Sequence, residues 1–242
     1  QLEIIDQYAF RNATALISII IPASVKTIGP YAFSESGLTS INIPEGVTSI
    51  GENAFSRGGL TDITVESSNT YYTAIDNVLF NKTGTILIQY PVGNDATSYE
   101  IPSSVTIIGN HAFSASSLTS ITIPEGVTSI GENAFAGATK LESITIPANV
   151  ESIGSNAFQN ATSLATVTFE AGSQLKSIGI RAFKNVTSLT SITIPEKVTT
   201  IGESAFEDAT SLETVTFEAG SQLDSIGNYA FAGASSLTSV II

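Results

Sequence analysis

Cysteine, methionine and tryptophan are absent from this 242-residue chain, and histidine occurs once, at His111. Without cysteine there is neither a disulfide nor a thiolate metal site. A lone histidine at a variable repeat position, with no G-x-S-x-G turn in the chain, leaves no histidine-assisted nucleophile to assemble. Positive charge is scarce: 9 Lys and Arg stand against 22 Asp and Glu, a net charge of −13. No basic patch remains to neutralise phosphates, which argues against nucleic acid and anionic membrane surfaces as partners. No apolar run approaches the roughly 18 residues of a membrane span, so no span is expected in this segment. A basic leader followed by an apolar stretch is also missing. The chain starts at Gln1, and both ends fall inside a repeat. The expectation is therefore a fragment or mature product of a longer protein.

What is present in abundance is repetition. Ile130 to Phe135 reads IGENAF, and near-copies end at Phe10, Phe33, Phe55, Phe113, Phe158, Phe183, Phe206 and Phe231. A degenerate copy, IDNVLF, ends at Phe80. Successive intervals are 23, 22, 25, 33, 22, 23, 25, 23 and 25 residues. A period in this range marks a solenoid of short coils, each a unit that cannot bury its apolar face alone. The domain expectation is one solenoid over residues 1–242, of about ten coils, with an irregular coil and insertion near 66–102.

Residues Leu118 to Thr139 illustrate one coil. Ile121 and Ile123 alternate with Ser120 and Thr122, the period of a half-buried strand. Pro124 ends the pairing because it has no N–H for a ladder. Val127 and Ile130 return to the core. Gly131 recurs as Gly29, Gly51, Gly109, Gly154, Gly179, Gly202 and Gly227, with Asp6 and Asp76 as exceptions, which predicts a turn with positive φ. Glu132 to Ala136 has helical spacing and predicts a single helical turn, with Ala134 and Phe135 inward. Two coils replace the Ile-Pro-Glu-Gly-Val corner with Phe-Glu-Ala-Gly-Ser-Gln-Leu, at Phe169 and Phe217. The two extra residues should enlarge the loop and leave the core register intact.

The middle is irregular. Ile75 to Phe80 fits the hexapeptide frame, while Ile88, Tyr90 and Pro91, then Tyr99, Ile101 and Pro102, fit the strand-then-proline frame. Extra chain between the two prolines, turning at Gly93-Asn94-Asp95, predicts an added hairpin or bulged coil. Tyr71, Tyr72 and Tyr99 of this unit are candidate ligand contacts, since exposed tyrosines make good ones.

These residues resemble the repeats of the BspA-like surface proteins, the Treponema-type leucine-rich repeat. The family unit L-x-x-I-x-I-P-x-x-V-x-x-I-G-x-x-A-F is matched in order by Leu118, Ile121, Ile123, Pro124, Val127, Ile130, Gly131, Ala134 and Phe135. Its irregular N-x-x-Y…I-D-G-V-L-F-N-K unit is matched by Asn69, Tyr72, Ile75, Asp76, Val78, Leu79, Phe80, Asn81 and Lys82, with Asn77 in place of glycine. The resemblance implies a right-handed leucine-rich-repeat superhelix. Its parallel β-sheet would be concave, with short helical turns or irregular segments opposite. It also implies an extracellular or cell-surface protein that adheres to a host or neighbouring-cell surface protein or glycan. The resemblance gives the matched residues a core-building role and assigns none of them a ligand.

Function must then reside on the repetitive surface. The outward strand positions Ser120, Thr122, Ser143, Thr145, Thr166, Thr168, Ser191 and Thr193 form two columns of small hydroxyls, the candidate ligand-binding face. Positions two apart lie about 7 Å from each other, and neighbouring strands about 5 Å. The grid lacks the aromatic and arginine anchors that carry affinity, so binding would rely on avidity. Acids recur once per coil at solvated corners, as in Glu45, Glu125 and Glu196, whereas a catalytic pair would occur once inside a pocket. No catalytic residue, cofactor or metal ligand is assigned. The alternative to adhesion is a structural spacer or a self-associating filament or coat subunit.

Overall fold

The structure, a computed structural model, describes residues 1–241; Ile242 lies outside the described residues. It is a β-solenoid of about ten turns. Each regular coil has three sides, and each side is a ladder of hydrogen bonds to the coils before and after.

The first side carries the L-x-x-I-x-I strands, such as Ser120–Thr122, Ser143–Ile146 and Thr166–Phe169. They pair in parallel, with Ile144 opposite Val167 and Thr145 opposite Thr168. Val127 N–H donates to the Pro124 carbonyl at 3.1 Å, closing the corner that ends the strand. The second side is a run of two-residue parallel strands, among them Ile107–Ile108, Ser129–Ile130 and Ser152–Ile153. This ladder keeps its register through the Phe169 corner: Ser152 pairs with Ser177, and Ser177 with Thr200. The two extra residues there bulge outward at Ala171 and Gly172, the latter at φ +77°.

The third side holds the hexapeptide. A helical turn is not formed, and among the described residues there is no helix. The fourth hexapeptide residue has a left-handed backbone in coil after coil: Tyr8, Tyr31, Asn53, His111, Asn133, Asn156, Arg181, Ser204 and Tyr229 all have φ between 52° and 61°. Four residues later the backbone does so again, as at Asn12, Ala115, Gly137 and Asn160. A right-handed helix cannot run through such residues. The segment instead divides its N–H groups alternately. Ala134, Ala136 and Ala138 donate locally to Gly131, Asn133 and Phe135, at 3.4, 3.0 and 3.1 Å. Asn133, Phe135 and Gly137 donate forward to Ser155, Ala157 and Gln159, at 2.9, 2.7 and 2.7 Å. Helical spacing in the sequence therefore arises from turns that present Ala134 and Phe135 inward without an α-helical hydrogen bond.

The glycine column also has a different cause from the one expected. Gly131 and its equivalents do not have positive φ; a Cβ there would strike the preceding coil. At Gly131 it would lie 2.7 Å from Asn110 N and 2.8 Å from Gly109 C, and at Gly202 2.7 Å from Gly179 C. Glycine is required because coil backbones meet edge to edge.

The core is a column along the solenoid. Phe33, Phe113, Phe135, Phe158, Phe183 and Phe206 are fully buried. Their rings stack: Phe135 lies 5.0 Å from Phe158, and Phe158 5.0 Å from Phe183, with planes within 5°. The column is divided in the middle. Tyr72–Ile75, Val78–Asn81 and Ile86–Gln89 form an antiparallel meander. Its first turn has Asp76 and Asn77 at φ 49° and 65°, so asparagine serves where the family pattern has glycine. The added hairpin thus lies at 72–81, not at Gly93-Asn94-Asp95. IDNVLF is part of this hairpin rather than a hexapeptide turn. Ile86–Gln89 joins the short-strand ladder beside Ile107–Ile108, so Ile88 is not in an L-x-x-I-x-I strand. Tyr99 does fit that frame, opposite Ile121. Leu79 faces the N-terminal core cluster, while Val78 and Phe80 face the C-terminal one.

Candidate functional site

All eight hydroxyl-bearing candidates on the first side are exposed: Ser120, Thr122, Ser143, Thr145, Thr166, Thr168, Ser191 and Thr193. The inward residues between them, Ile121, Ile144, Val167 and Ile192, are buried. Strand alternation therefore sorts the two sets, as the sequence implies. Threonines elsewhere bind the chain itself: Thr119 and Thr128 hydroxyls donate to the carbonyls of Thr97 and Thr106, at 3.0 and 3.2 Å. The eight candidate hydroxyls have no such partner among the described residues and are free for solvent or ligand.

The structure brings four of the eight together. Thr166–Phe169 and Ser191–Ile194 lie side by side without pairing, so the first-side sheet is interrupted there. The interruption opens a groove of about 400 Å³. Thr166 and Thr168 line one bank, Ser191 and Thr193 the other, and Glu218 stands at its edge. Glu218 is already engaged, because its carboxylate accepts the Glu196 N–H at 3.0 Å. Glu66 and Glu170 do the same for the Glu45 and Ala148 N–H groups, at 2.8 and 3.2 Å. Such acids cap the preceding corner. Glu125 lies beside Glu170, and their shared hydrogen bond and like charge hold the Glu125 carboxyl above its ordinary value. Among the described residues no group of three His, Asp or Glu side chains is arranged to hold a metal ion.

The irregular unit contributes less surface than its sequence implies. Tyr71 is exposed. Tyr72 is half-buried, and its hydroxyl accepts the Ile50 N–H at 3.0 Å, closing an otherwise open strand edge. Tyr99 packs on Tyr90 and Phe113 at 5.2 and 6.0 Å, with its hydroxyl buried and unpaired. Burial pushes both phenols above the ordinary value, and nearby Asp76 adds to the effect at Tyr99. Tyr72 and Tyr99 are thus packed into the framework; of the three tyrosines only Tyr71 is exposed. Tyr90, not Phe80, continues the ring stack, 5.4 Å from Phe113.

His111 is half-buried at a left-handed position, and desolvation holds its imidazole below the ordinary value against the opposing pull of Glu52. Among the described residues no helix is long and apolar enough to cross a membrane.

Three-sided coils, a phenylalanine column and a strand ladder with hydroxyls outward define a leucine-rich-repeat solenoid of bacterial surface-protein type. The chain belongs to the BspA type leucine rich repeat family, whose pattern matches residues 3–94, 92–175 and 167–242. It is similar to a leucine-rich repeat protein from Eubacterium ventriosum, with 32% identity and a TM-score of 0.78 over 90% of this chain and 64% of that one. A leucine rich cell surface protein from Faecalibacterium prausnitzii is 28% identical, with a TM-score of 0.68 over 98% of this chain and 62% of that one. The pneumococcal vaccine antigen PcpA is 26% identical, with a TM-score of 0.70 over 91% and 62%. The chain thus spans under two thirds of the length of each of these structures. Among curated proteins none matches it. The family and its fold are typically non-catalytic.

Proposed function

We propose that this chain is a non-catalytic recognition module at the surface of a bacterial cell, adhering to a protein or glycan through its hydroxyl face. The observation that carries the reading is the groove where Thr166, Thr168, Ser191 and Thr193 converge on unpaired strand edges. Free hydroxyls and ladder-less backbone offer both donors and acceptors, which suits an extended polypeptide or a sugar. Small side chains give modest affinity per contact, so multiple copies on a cell would bind by avidity. The cell-surface name of the Faecalibacterium neighbour supports the location.

The test is solid-phase binding of a multivalent form of the protein to extracellular-matrix proteins and to a glycan array. Thr168→Lys with Thr193→Lys should abolish retention, whereas lysines at exposed positions on the third side should not. Equal retention by the groove variant would remove the hydroxyl face as the docking surface. Light scattering against concentration distinguishes the alternative role: a filament or coat subunit grows in mass, a recognition module does not.

A further inference from the structure

The third side carries a second interruption, distant from the hydroxyl face and independent of the role proposed for it. In every other internal coil, three alternate N–H groups of the hexapeptide turn donate to the next coil. Tyr31, Phe33 and Glu35 donate to Glu52, Ala54 and Ser56, and His111, Phe113 and Ala115 donate to Glu132, Ala134 and Ala136. The equivalent groups of the coil before the meander are the N–H groups of Asn53, Phe55 and Arg57. They have no acceptor among the described residues. The meander has displaced the coil that would have supplied one.

The gap is a rift of two adjoining cavities that share Asn53, of about 220 and 150 Å³. The larger runs from Ile50–Phe55 to Gln89 and Asn110, and the Asn110 amide bonds the Glu52 carboxylate at 2.9 Å across it. Asn53 is 7% exposed, and its side-chain Nδ2 is buried without a partner. An unsatisfied buried donor is costly unless something occupies the site with an acceptor. The smaller cavity gathers what the chain otherwise lacks. Arg11, Arg57 and the sole histidine line it, leaving Arg181 as the only other arginine. Arg11 is tied to Glu35 at 3.7 Å and lies over the Tyr8 ring at 5.4 Å. Arg57 is exposed and forms no ion pair among the described residues.

Arg11 is offset by Glu35, and the Glu52 carboxylate takes the neutral Asn110 amide; the Arg57 guanidinium is the group left facing the smaller cavity without a partner among the described residues, and the open N–H groups occur at every second residue. An extended backbone likewise turns the carbonyls of alternate residues to one edge. We propose that the rift is a binding site for an extended acidic peptide. Its backbone carbonyls pair with the N–H groups of Asn53, Phe55 and Arg57, a side-chain or backbone oxygen receives Asn53 Nδ2, and a carboxylate pairs with the Arg57 guanidinium.

The test uses the whole chain, labelled with nitrogen-15, titrated with the blocked peptide acetyl-Ser-Glu-Thr-Glu-Ser-Glu-amide. Saturable shifts should appear at the amides of Asn53, Phe55 and Arg57 and at the Asn53 side-chain NH₂, while the amide of Phe158 stays fixed. Arg57→Gln, at an exposed position, should weaken binding about tenfold or more, as expected for loss of a charge-assisted bond. Asn53→Gly, which keeps the left-handed backbone, should weaken it less. The proposal fails if no saturable shift appears, if the glutamine-for-glutamate peptide binds equally, or if free glucuronate binds and the peptide does not.

Discussion

Alanine at Gly131 should be far more damaging than its size suggests. Its Cβ would lie 2.7 Å from Asn110 N, where ordinary contact begins at 3.4 Å, a shortfall of about 0.7 Å (3.4 minus 2.7). Of the three nearest atoms, Asn110 N and Gly109 C at 2.7 and 2.8 Å belong to the neighbouring backbone, so moving the third, Asn110 Oδ1, would not clear the clash; the coils must separate. The Gly131 N–H donates to the Ile108 carbonyl at 2.9 Å, and the Glu132 N–H to Asn110 Oδ1 at 2.9 Å. Widening by that amount stretches both beyond hydrogen-bond range, a loss of about 1 kcal/mol each. Overpacking adds about 1–3 kcal/mol. The stiffer unfolded chain returns about 0.4–1 kcal/mol. The expected net loss is about 2–4 kcal/mol. Gly59→Ala is the control: its nearest obstacle is the Leu38 carbonyl oxygen at 3.6 Å, so a change within about 0.5 kcal/mol is expected. Urea unfolding followed by circular dichroism reads both. Equal midpoints for the two variants would refute backbone crowding as the reason for the glycine column.

The left-handed positions give a reciprocal pair: Gly137→Ala should cost about 1–2 kcal/mol through φ alone, since no clash awaits its Cβ, and Ala115→Gly should recover part of that at φ 62°. Thermal melts of both variants check the signs. Phe158→Ala removes a ring stacked on both faces and should cost about 3–5 kcal/mol, measured as a fall in urea midpoint. Burial raises the phenols of Tyr72, Tyr90 and Tyr99 from 10.0, so above pH 10 the unfolded chain releases protons that the folded chain retains. Stability is therefore full below pH 10 and falls as pH rises past it. Replacing all three by phenylalanine should flatten that alkaline decline in a pH series of melts, whatever it does to stability at neutral pH.

Much of the architecture was legible because a stacked coil repeats its constraints. Ile121, Val127, Ile130 and Phe135 announce their burial through recurrence, and the outward hydroxyls alternate with buried residues where strand periodicity puts them. The backbone of the hexapeptide was less legible. Tyr8, His111 and Arg181 have positive φ imposed by inter-coil hydrogen bonds, and no local propensity of those residues signals it. Asparagine gave a partial signal. Asn12, Asn160 and Asn185 head N-x-[S/T] triplets in the repeat frame because the left-handed backbone there favours asparagine. The same applies to glycine at Gly131, where crowding and φ freedom leave identical marks in a sequence. The groove between Thr168 and Thr193 could not be read at all, since it depends on two neighbouring strands failing to pair. Nor could the rift at Asn53, which exists only because a distant hairpin displaces a coil. Tyr72 and Tyr99 look like contact residues until Ile50 and Phe113 are seen beside them.

The strand Val78–Asn81 has apolar side chains buried on both of its faces, Leu79 toward one column and Val78 and Phe80 toward the other. In a rod held together by adjacent turns alone, such a partition is the weakest joint. Heat or tension should therefore loosen the protein in two stages, with the shorter N-terminal stack parting first while the longer one, from Phe113 onward, still holds.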